Sequence, residues 1–362
     1  MGAARVAEVA RIWRRSVVAR FADSLLEESK QKRIPRMYTR SGNALGFAGE
    51  MRIISHSKQE LSILCCRPFI ALLFLTALPA IAQQRARGPV DYPALPPGIA
   101  IHRNIHYDRY SATVLDVLEP TAHIAGKRPG VVVFHGGGWV HTGKETAYES
   151  LCLPYLQRGF VVANVEYRVA SQAQAPAAVT DALDATHWFF KHANQYGVDP
   201  KRIVVTGGSA GGHLALMVGM TPTSAHLGPV SPVAAVIDGY GITDVVELLK
   251  GPHFQEWARQ WVPAGPSQVE LARRLSPLTY VRHDLPPILI AQGADDHTVP
   301  VEQSIRLHNA LDLDRVPNEL IIVPNAKHGF SRAQWGPLDE KIFAFLKAHG
   351  LPQPGTYAWK GK

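Results

Sequence analysis

The sequence is poor in cysteine, with three among its 362 residues. Two of them, Cys65 and Cys66, precede an apolar segment at 68–82, and only Cys152 follows it. If the chain is cleaved after that segment, one cysteine remains and an intramolecular disulfide is excluded. Stability must then come from a hydrophobic core, and the remaining ~280 residues are enough to bury one.

A basic stripe of the kind that binds nucleic acid is also missing. The chain has 38 Lys and Arg against 30 Asp and Glu, which at first suggests an acidic partner. However, residues 1–82 hold 13 basic and 6 acidic side chains, a net charge of +7, whereas residues 83–362 hold 25 and 24, a net charge of +1. Because most of the chain is nearly neutral and no aromatics are interleaved with basic clusters, we expect no nucleic-acid partner.

The apolar segment is shorter than the ~20 residues that span a bilayer, and Pro79 interrupts it. A basic residue precedes it, and it ends in the small residues Ala80 and Ala82, as secretory signals do. We therefore predict a signal peptide at 51–82, cleaved after Ala82, and a secreted or periplasmic protein with no stable membrane association. An uncleaved membrane anchor is the alternative.

Three further segments lie outside the predicted domain. Residues 1–50 precede Met51, the expected start of the signal, and we interpret them as a leader that is either untranslated or disordered. The alternative is a real amphipathic helix, because apolar residues in the first half of this segment recur near helical spacing. The proline-rich stretch 83–98 predicts a linker, and 351–362 a short tail.

From residue 99 onward, β-rich runs alternate with helical ones, and no internal repeat is present. Several runs are apolar throughout, as in strands that helices cover on both faces. The pattern predicts one α/β domain at 99–350 with a mostly parallel sheet of about eight strands, in which the first two strands could form an antiparallel edge. The predicted strands are 99–107, 113–118, 130–135, 160–166, 202–207, 233–238, 287–292 and 319–323. The predicted helices are 145–157, 177–196, 210–220, 301–312 and 337–348.

One stretch, 240–280, is too long for a simple strand-to-helix connection. It carries three large aromatics, Phe254, Trp257 and Trp261. We interpret it as a small helical excursion over the carboxyl edge of the sheet. The excursion either acts as a lid, or its aromatic side chains are the ordinary packing residues of a surface helix.

The stretch Gly207-Gly208-Ser209-Ala210-Gly211 fits G-x-S-x-G between a predicted strand and a predicted helix. In that context the motif is typical of a nucleophile elbow, in which glycines permit a tight turn that exposes one serine hydroxyl. Glycine-rich turns of this kind also bind phosphates. The motif therefore leaves both interpretations open until other elements are considered.

A second glycine cluster, His135-Gly136-Gly137-Gly138, ends another predicted strand. Acyl transfer passes through a tetrahedral oxyanion, which needs two or more aimed N–H donors. Consecutive glycines let backbone amides turn toward one point. We predict that the amides of Gly136, Gly137 and Ala210 form an oxyanion hole. The alternative is a plain flexible loop.

A serine nucleophile needs a base, and the base needs a carboxylate that orients it. His328 follows the last predicted strand and Asp296 follows the strand before it, which gives the order Ser209, Asp296, His328 found in α/β-hydrolases. Asp295 is the alternative candidate for the orienting carboxylate. Only one of the two aspartates can have this role, because adjacent side chains point in different directions. No ligand cluster elsewhere matches the acidic pair, so we expect neither a metal nor a cofactor.

These motifs together resemble the α/β-hydrolase superfamily, in particular secreted carbohydrate esterases and hormone-sensitive-lipase-like carboxylesterases, over about residues 99–350. The resemblance implies a three-layer α/β-hydrolase fold. It places the aspartate of G-x-x-D-x-x-V-P on Asp296 rather than Asp295, the catalytic histidine on His328 and the oxyanion glycines on Gly136 and Gly137. It is carried by HGGGW at 135–139, EYR at 166–168, YGVDPKRIVVTGGSAGGHLA at 196–215, SPLTYV at 276–281, GADDHTVPVEQS at 293–304 and AKHGF at 326–330.

The resulting expectation is a secreted serine esterase that cleaves short-chain or aryl carboxylic esters through an acyl-enzyme. Acetyl or feruloyl groups on plant polysaccharide are the candidate substrates, and a small-molecule or polysaccharide ester is the expected partner. Lipase-like members often carry a long helical cap before the first strand, where this chain has only 83–98, which points away from long-chain lipids. The alternatives are an aryl-formamide or peptide hydrolase on the same fold and a non-catalytic binding protein.

Overall fold

The computed structural model describes residue 92 and residues 95–141 and 143–351. The predicted leader, the predicted signal peptide, most of the predicted linker and the tail from residue 352 lie outside the described residues. No helix within the described ranges is long and apolar enough to cross a membrane.

An eight-stranded sheet forms the centre of the domain, as predicted. Its order is β1-β2-β4-β3-β5-β6-β7-β8. The β1–β2 and β2–β4 pairs are antiparallel and all other pairs are parallel, which confirms the antiparallel edge. The strands are β1 (Ile99–His106), β2 (Val114–Pro120), β3 (Arg128–Phe134), β4 (Val161–Val165), β5 (Val198–Gly208), β6 (Ala235–Gly239), β7 (Ile288–Gly293) and β8 (Asn318–Val323).

The continuous apolar runs have the burial that their composition predicts. Every residue of β3, β4, β6 and β7 is buried, whereas in the edge strand β8 only Ile321 is buried and Glu319 and Ile322 are exposed. Two separate hydrophobic clusters lie on the two faces of the sheet. The helices that cover these faces are α1 (Leu153–Gln157), α2 (Ala177–His192), α3 (Ala210–Met220), α4 (Glu256–Trp261), α5 (Gln268–Arg274), α6 (Val301–Leu313) and α7 (Arg332–Ala348).

Two helices differ from their predicted bounds. The helix expected at 145–157 is instead a 3₁₀ turn, a π turn (Tyr148–Cys152) and then α1. Pro154 has no N–H to donate to the turn before it, so a regular α-helix cannot run through this point. Helix α7 begins at Arg332 rather than 337, because Ser331 and Gln334 form a capping box ahead of the proline.

The helical excursion expected at 240–280 is present and contains α4 and α5. Trp261 on α4 is fully buried and stacks on the equally buried Trp139, with ring centroids 3.9 Å apart. Phe254 just before α4 is 42% exposed. The excursion is thus packed like an ordinary surface helix on one side, while Trp257 lines a cleft on the other.

Strand β6 carries an aspartate that is fully buried next to the carboxyl edge of the sheet. One oxygen of Asp238 accepts a hydrogen bond from the N–H of Gly241 at 3.0 Å. The other oxygen has no hydrogen-bond partner among the described residues. Burial raises the pKa of Asp238 to about 7, and the single bond from Gly241 only partly opposes this.

We predict that Asp238→Asn reduces the loss of stability toward alkaline pH. The pKa is higher in the folded protein than in the unfolded chain, so this group's contribution is fully present below pH ~4 and is lost as the pH rises through about 7. Melting temperatures at pH 5 and pH 8 should therefore differ less in the variant than in the wild type. Asp314→Asn, at an exposed position, is the control, and an equal pH dependence in all three proteins would contradict the prediction.

Candidate active site

Four segments predicted to carry chemistry meet at one edge of the sheet. Ser209 follows β5, the loop that begins with His135 follows β3, Asp296 follows β7 and His328 follows β8. Because these strands are parallel, their carboxyl ends point the same way and bring distant parts of the sequence together. The structure places all six predicted site residues at this edge.

The turn after β5 holds Ser209 in a strained backbone conformation, with φ 59° and ψ −122°. Its N–H donates to the carbonyl of Gly239 at 2.8 Å, and its own carbonyl accepts from the N–H of His213 at 3.0 Å. A Cβ on Gly211 would overlap the backbone carbonyl oxygen of Phe134. The glycines are required because the elbow packs directly on the end of β3.

The three polar side chains form a continuous hydrogen-bonded chain. Ser209 Oγ lies 2.8 Å from His328 Nε2, and His328 Nδ1 lies 2.8 Å from Asp296 Oδ2. With Nδ1 protonated, the imidazole donates to the carboxylate and its Nε2 accepts from the serine hydroxyl. In this arrangement the histidine can take a proton from Ser209 while its orientation stays fixed.

The environment of Asp296 favours its ionised form. Its Oδ1 accepts hydrogen bonds from the N–H groups of Thr298 and Val299 at 2.8 and 3.0 Å. Burial raises the pKa of the Asp296 carboxyl, but the hydrogen bond and charge of His328 and these two N–H groups lower it more, so the pKa lies below its ordinary value.

The alternative carboxylate, Asp295, is exposed, whereas Asp296 is buried. The structure therefore favours Asp296 as the partner of His328.

A residue that was not predicted from the sequence also holds Asp296. Gln292, at the end of β7, donates to Asp296 Oδ2 at 2.9 Å, and Ser304 orients it by donating to its Oε1 at 3.0 Å. The position of Gln292 within an otherwise apolar strand was the sequence feature that could have indicated this role, because a fully buried amide must have polar partners.

The glycine loop after β3 lies against the elbow. A Cβ on Gly136 would lie 3.6 Å from Ser209 Cβ. The N–H groups of Gly136 and Gly137 donate to no other group among the described residues. Ala210 is the first residue of α3, where an N–H has no partner inside the helix. These three amides therefore remain available beside the serine hydroxyl.

Buried polar contacts hold this loop in place. The His135 ring stacks on Tyr167 with centroids 4.2 Å apart, and the Tyr167 hydroxyl donates to the His135 carbonyl at 2.9 Å. The Glu166 carboxylate accepts from the N–H groups of Gly143 and Lys144 at 3.1 and 2.9 Å. The loop is therefore braced at its start and just after its end, rather than flexible.

A cleft of about 400 Å³ opens over Ser209. Its walls include two aromatic side chains without a predicted role in catalysis, Tyr240 and Trp257. Of the three tryptophans near the glycine loop, only Trp257 lines this cleft, because Trp139 and Trp261 are fully buried. Among the described residues, no group of three or more His, Cys, Asp or Glu side chains is arranged to hold a metal ion.

We predict that Gly211→Ala destabilises the fold by about 4 kcal/mol or more, because the new methyl group collides with backbone that cannot move aside. Gly336→Ala is the matched control. Gly336 lies in α7 with open space around its Cβ position apart from its chain neighbours. Alanine gains helix propensity there, but its Cβ meets the ring of Pro337, so stability should change by no more than about 1 kcal/mol. Urea unfolding of both variants measures the difference, and a well-folded Gly211→Ala protein of native stability would contradict the steric argument.

The sequence of this chain matches a known protein family and several curated relatives. The family model described as BD-FAE matches residues 115–311, which is more than half of the chain. The curated protein "Probable carboxylic ester hydrolase LipM" of Mycobacterium tuberculosis is 28% identical over 239 residues, covering 63% of this chain and 56% of LipM. The chain thus spans just over half the length of that relative.

Solved structures agree with the fold. A thermophilic esterase from Thermogutta terrifontis, solved with butyrate bound, is 28% identical with a TM-score of 0.59 and covers 72% of this chain and 97% of its own. A truncated carbohydrate esterase from gut microbiota is 24% identical with a TM-score of 0.59 and covers 71% and 100%, which shows the fold alone. The chain therefore belongs to the BD-FAE family and has the α/β-hydrolase fold of the esterases it resembles.

Proposed function

We propose that the protein is a serine carboxylic ester hydrolase that works through an acyl-enzyme. The observation that carries the proposal is the chain of two 2.8 Å contacts that joins Ser209, His328 and Asp296 at the floor of an open cleft. The esterases among its relatives support the same reaction class.

In the first half of the reaction, Ser209 Oγ attacks the ester carbonyl while His328 Nε2 takes its proton. The ionised Asp296 stabilises the imidazolium that forms and keeps Nδ1 protonated. Negative charge develops on the carbonyl oxygen, and the N–H groups of Gly136, Gly137 and Ala210 stabilise it. His328 then delivers its proton to the leaving alcohol, and the acyl group stays on the serine.

Water completes the cycle by the same route in reverse. His328 removes a proton from the water molecule as the oxygen attacks the acyl carbon, and the carboxylic acid leaves Ser209 with its hydroxyl restored. The exposed mouth of the cleft lets water reach the acyl-enzyme.

The size of the cleft supports short acyl groups. Small side chains and glycines line much of it, including Gly138, Thr146, Ala147 and Ser150. A volume of about 400 Å³ holds the acyl group and the adjoining part of the alcohol, while a polymeric alcohol extends out through the open mouth. The Thermogutta terrifontis esterase was solved with butyrate bound, which supports acyl groups from acetyl to butyryl in this chain.

Secretion and a polysaccharide substrate are part of the proposal. The signal-like segment at 51–82 supports export, and a polymer that cannot enter a cell requires an exported enzyme. Trp257 at the wall of the cleft offers a flat surface on which a sugar ring or the aryl group of a feruloyl ester can stack. Acetylated or feruloylated plant polysaccharide is the substrate class that combines these features.

The main test compares Ser209→Ala with the wild type on p-nitrophenyl acetate, butyrate and octanoate, methyl ferulate and acetylated xylan. We expect kcat to fall by about 10⁶-fold in the variant, because the nucleophile is lost. In the wild type we expect kcat/KM to be higher for acetate and butyrate than for octanoate. Serine-independent turnover, or none with any ester, would reject the esterase and favour an amide or peptide hydrolase or a binding role.

A second test separates the two adjacent aspartates. Asp296→Asn should lower kcat by about 10³- to 10⁴-fold, because an amide in place of the carboxylate cannot stabilise the imidazolium and favours the wrong histidine tautomer. Asp295→Asn makes the same chemical change at the exposed neighbouring position and should leave kcat within about twofold. Equal losses in the two variants would contradict the assigned roles.

A further inference from the structure

We propose that Tyr240 is a further catalytic residue, whose hydroxyl donates a hydrogen bond to the oxygen of the leaving alcohol. This inference rests on the proposed esterase function and adds one group to it. Neither G-x-S-x-G nor the glycine loop includes this residue. It lies directly after β6, the strand between those that carry Ser209 and Asp296.

The position of the hydroxyl carries the proposal. Tyr240 lines the cleft together with Ser209 and His328. A Cβ on Gly208 would lie 2.6 Å from the Tyr240 oxygen, and one on Gly329 would lie 3.9 Å from it. The hydroxyl is therefore close both to the residue before the nucleophile and to the residue after the histidine.

The side chain is held firmly in that position. Its backbone has a positive φ of 42°, and its N–H donates to the Ala291 carbonyl at 2.7 Å. The ring packs edge-on against His328 and Phe330, with centroids 5.1 and 5.0 Å away. A non-glycine residue in this backbone region is strained, and such strain is concentrated at functional sites.

The hydroxyl is also available as a donor. It makes no hydrogen bond with another group in the part of the chain that the structure describes. Burial and the nearby charges of Asp296 and Asp238 raise the pKa of Tyr240 to about 12, so the phenol stays protonated at neutral pH. A protonated phenol beside the histidine can stabilise an oxygen that gains negative charge.

The geometry favours the leaving oxygen over the carbonyl oxygen. His328 Nε2 delivers its proton to the leaving alcohol, so that oxygen must lie on the histidine side of Ser209. The carbonyl oxygen is expected at the amides of Gly136 and Gly137, which stabilise its negative charge. The Tyr240 ring lies edge-on against the imidazole, and its hydroxyl lies between Gly208 and Gly329, the neighbours of Ser209 and His328. We therefore place it near the leaving oxygen.

The step balances without any further reagent. The tetrahedral intermediate re-forms its C=O bond as the bond to the alcohol oxygen breaks. That oxygen keeps the bonding electron pair and accepts the proton from His328 Nε2. Tyr240 keeps its own proton throughout and only donates a hydrogen bond, which lowers the energy of the oxygen while it is negatively charged.

The test uses two esters with the same acyl group, ethyl acetate and p-nitrophenyl acetate, and the variant Tyr240→Phe. Ethoxide is a poor leaving group that needs stabilisation, whereas p-nitrophenoxide leaves without it. We expect kcat/KM for ethyl acetate to fall about tenfold or more, and that for p-nitrophenyl acetate to fall about twofold at most. Because kcat/KM reports only the steps through acylation, the shared deacylation step does not affect the comparison.

Tyr280→Phe is the matched control, because it removes a phenol hydroxyl that donates to the Arg274 carbonyl away from the cleft. Both variants are to be checked by thermal melting. An equal fall for the two esters, or no fall for ethyl acetate, would overturn the role of Tyr240 while leaving the esterase function intact. If the wild type hydrolyses neither ester, the proposed function fails and this inference fails with it.

Discussion

The close approach of the turn after β5 to the end of β3 is the constraint on which the site depends. At Gly211 there is no room for a side chain, because the Phe134 carbonyl occupies the space. The same contact forces Ser209 into a left-handed conformation that exposes its hydroxyl, and it brings the loop at Gly136 against the serine. Nucleophile and oxyanion donors are thus positioned by one packing contact between neighbouring parallel strands, and neither can move without the other.

Buried carboxyl groups near the sheet edge differ in protonation because they differ in donors. Asp296 receives two backbone N–H groups, one amide and the histidine, which together outweigh the cost of burial and keep it ionised. Asp238 is fully buried on β6, the strand that pairs with the elbow's strand β5, and it receives one N–H, so burial dominates and its pKa rises to about 7. The number of hydrogen-bond donors, rather than burial alone, separates a charged partner of histidine from a carboxyl that fixes a turn.

Local patterns predict those parts of the protein that depend on neighbours in sequence. Apolar runs predicted the eight strands, and G-x-S-x-G between a strand and a helix predicted the elbow. Strand, turn and helix all lie within one continuous segment, residues 198–220. Tyr240 escaped prediction because its partners His328 and Phe330 lie far along the chain and share no motif with it. Gln292 escaped although its partner Asp296 is only four residues away, because the motif that predicts Asp296 begins one residue later, at Gly293. The tryptophan that lines the cleft could not be predicted either, because nothing in the sequence distinguishes the buried Trp139 from Trp257.

The excursion at 240–280 contributes side chains to the cleft at two separate points, whereas the sheet edge carries the reacting groups. Tyr240 stands at its start beside the histidine, and Trp257 packs over the glycine loop so closely that a Cβ on Gly138 would lie 3.0 Å from its ring. The sheet edge fixes the reacting groups through short, buried hydrogen bonds that tolerate little change. On the excursion, Trp257 forms part of the cleft wall, whereas Tyr240 is the proposed donor to the leaving oxygen and Trp261 is part of the core. The strand ends therefore fix the triad and the oxyanion donors, while the excursion supplies both a proposed donor to the leaving oxygen and, in Trp257, a cleft wall that can change the choice of ester.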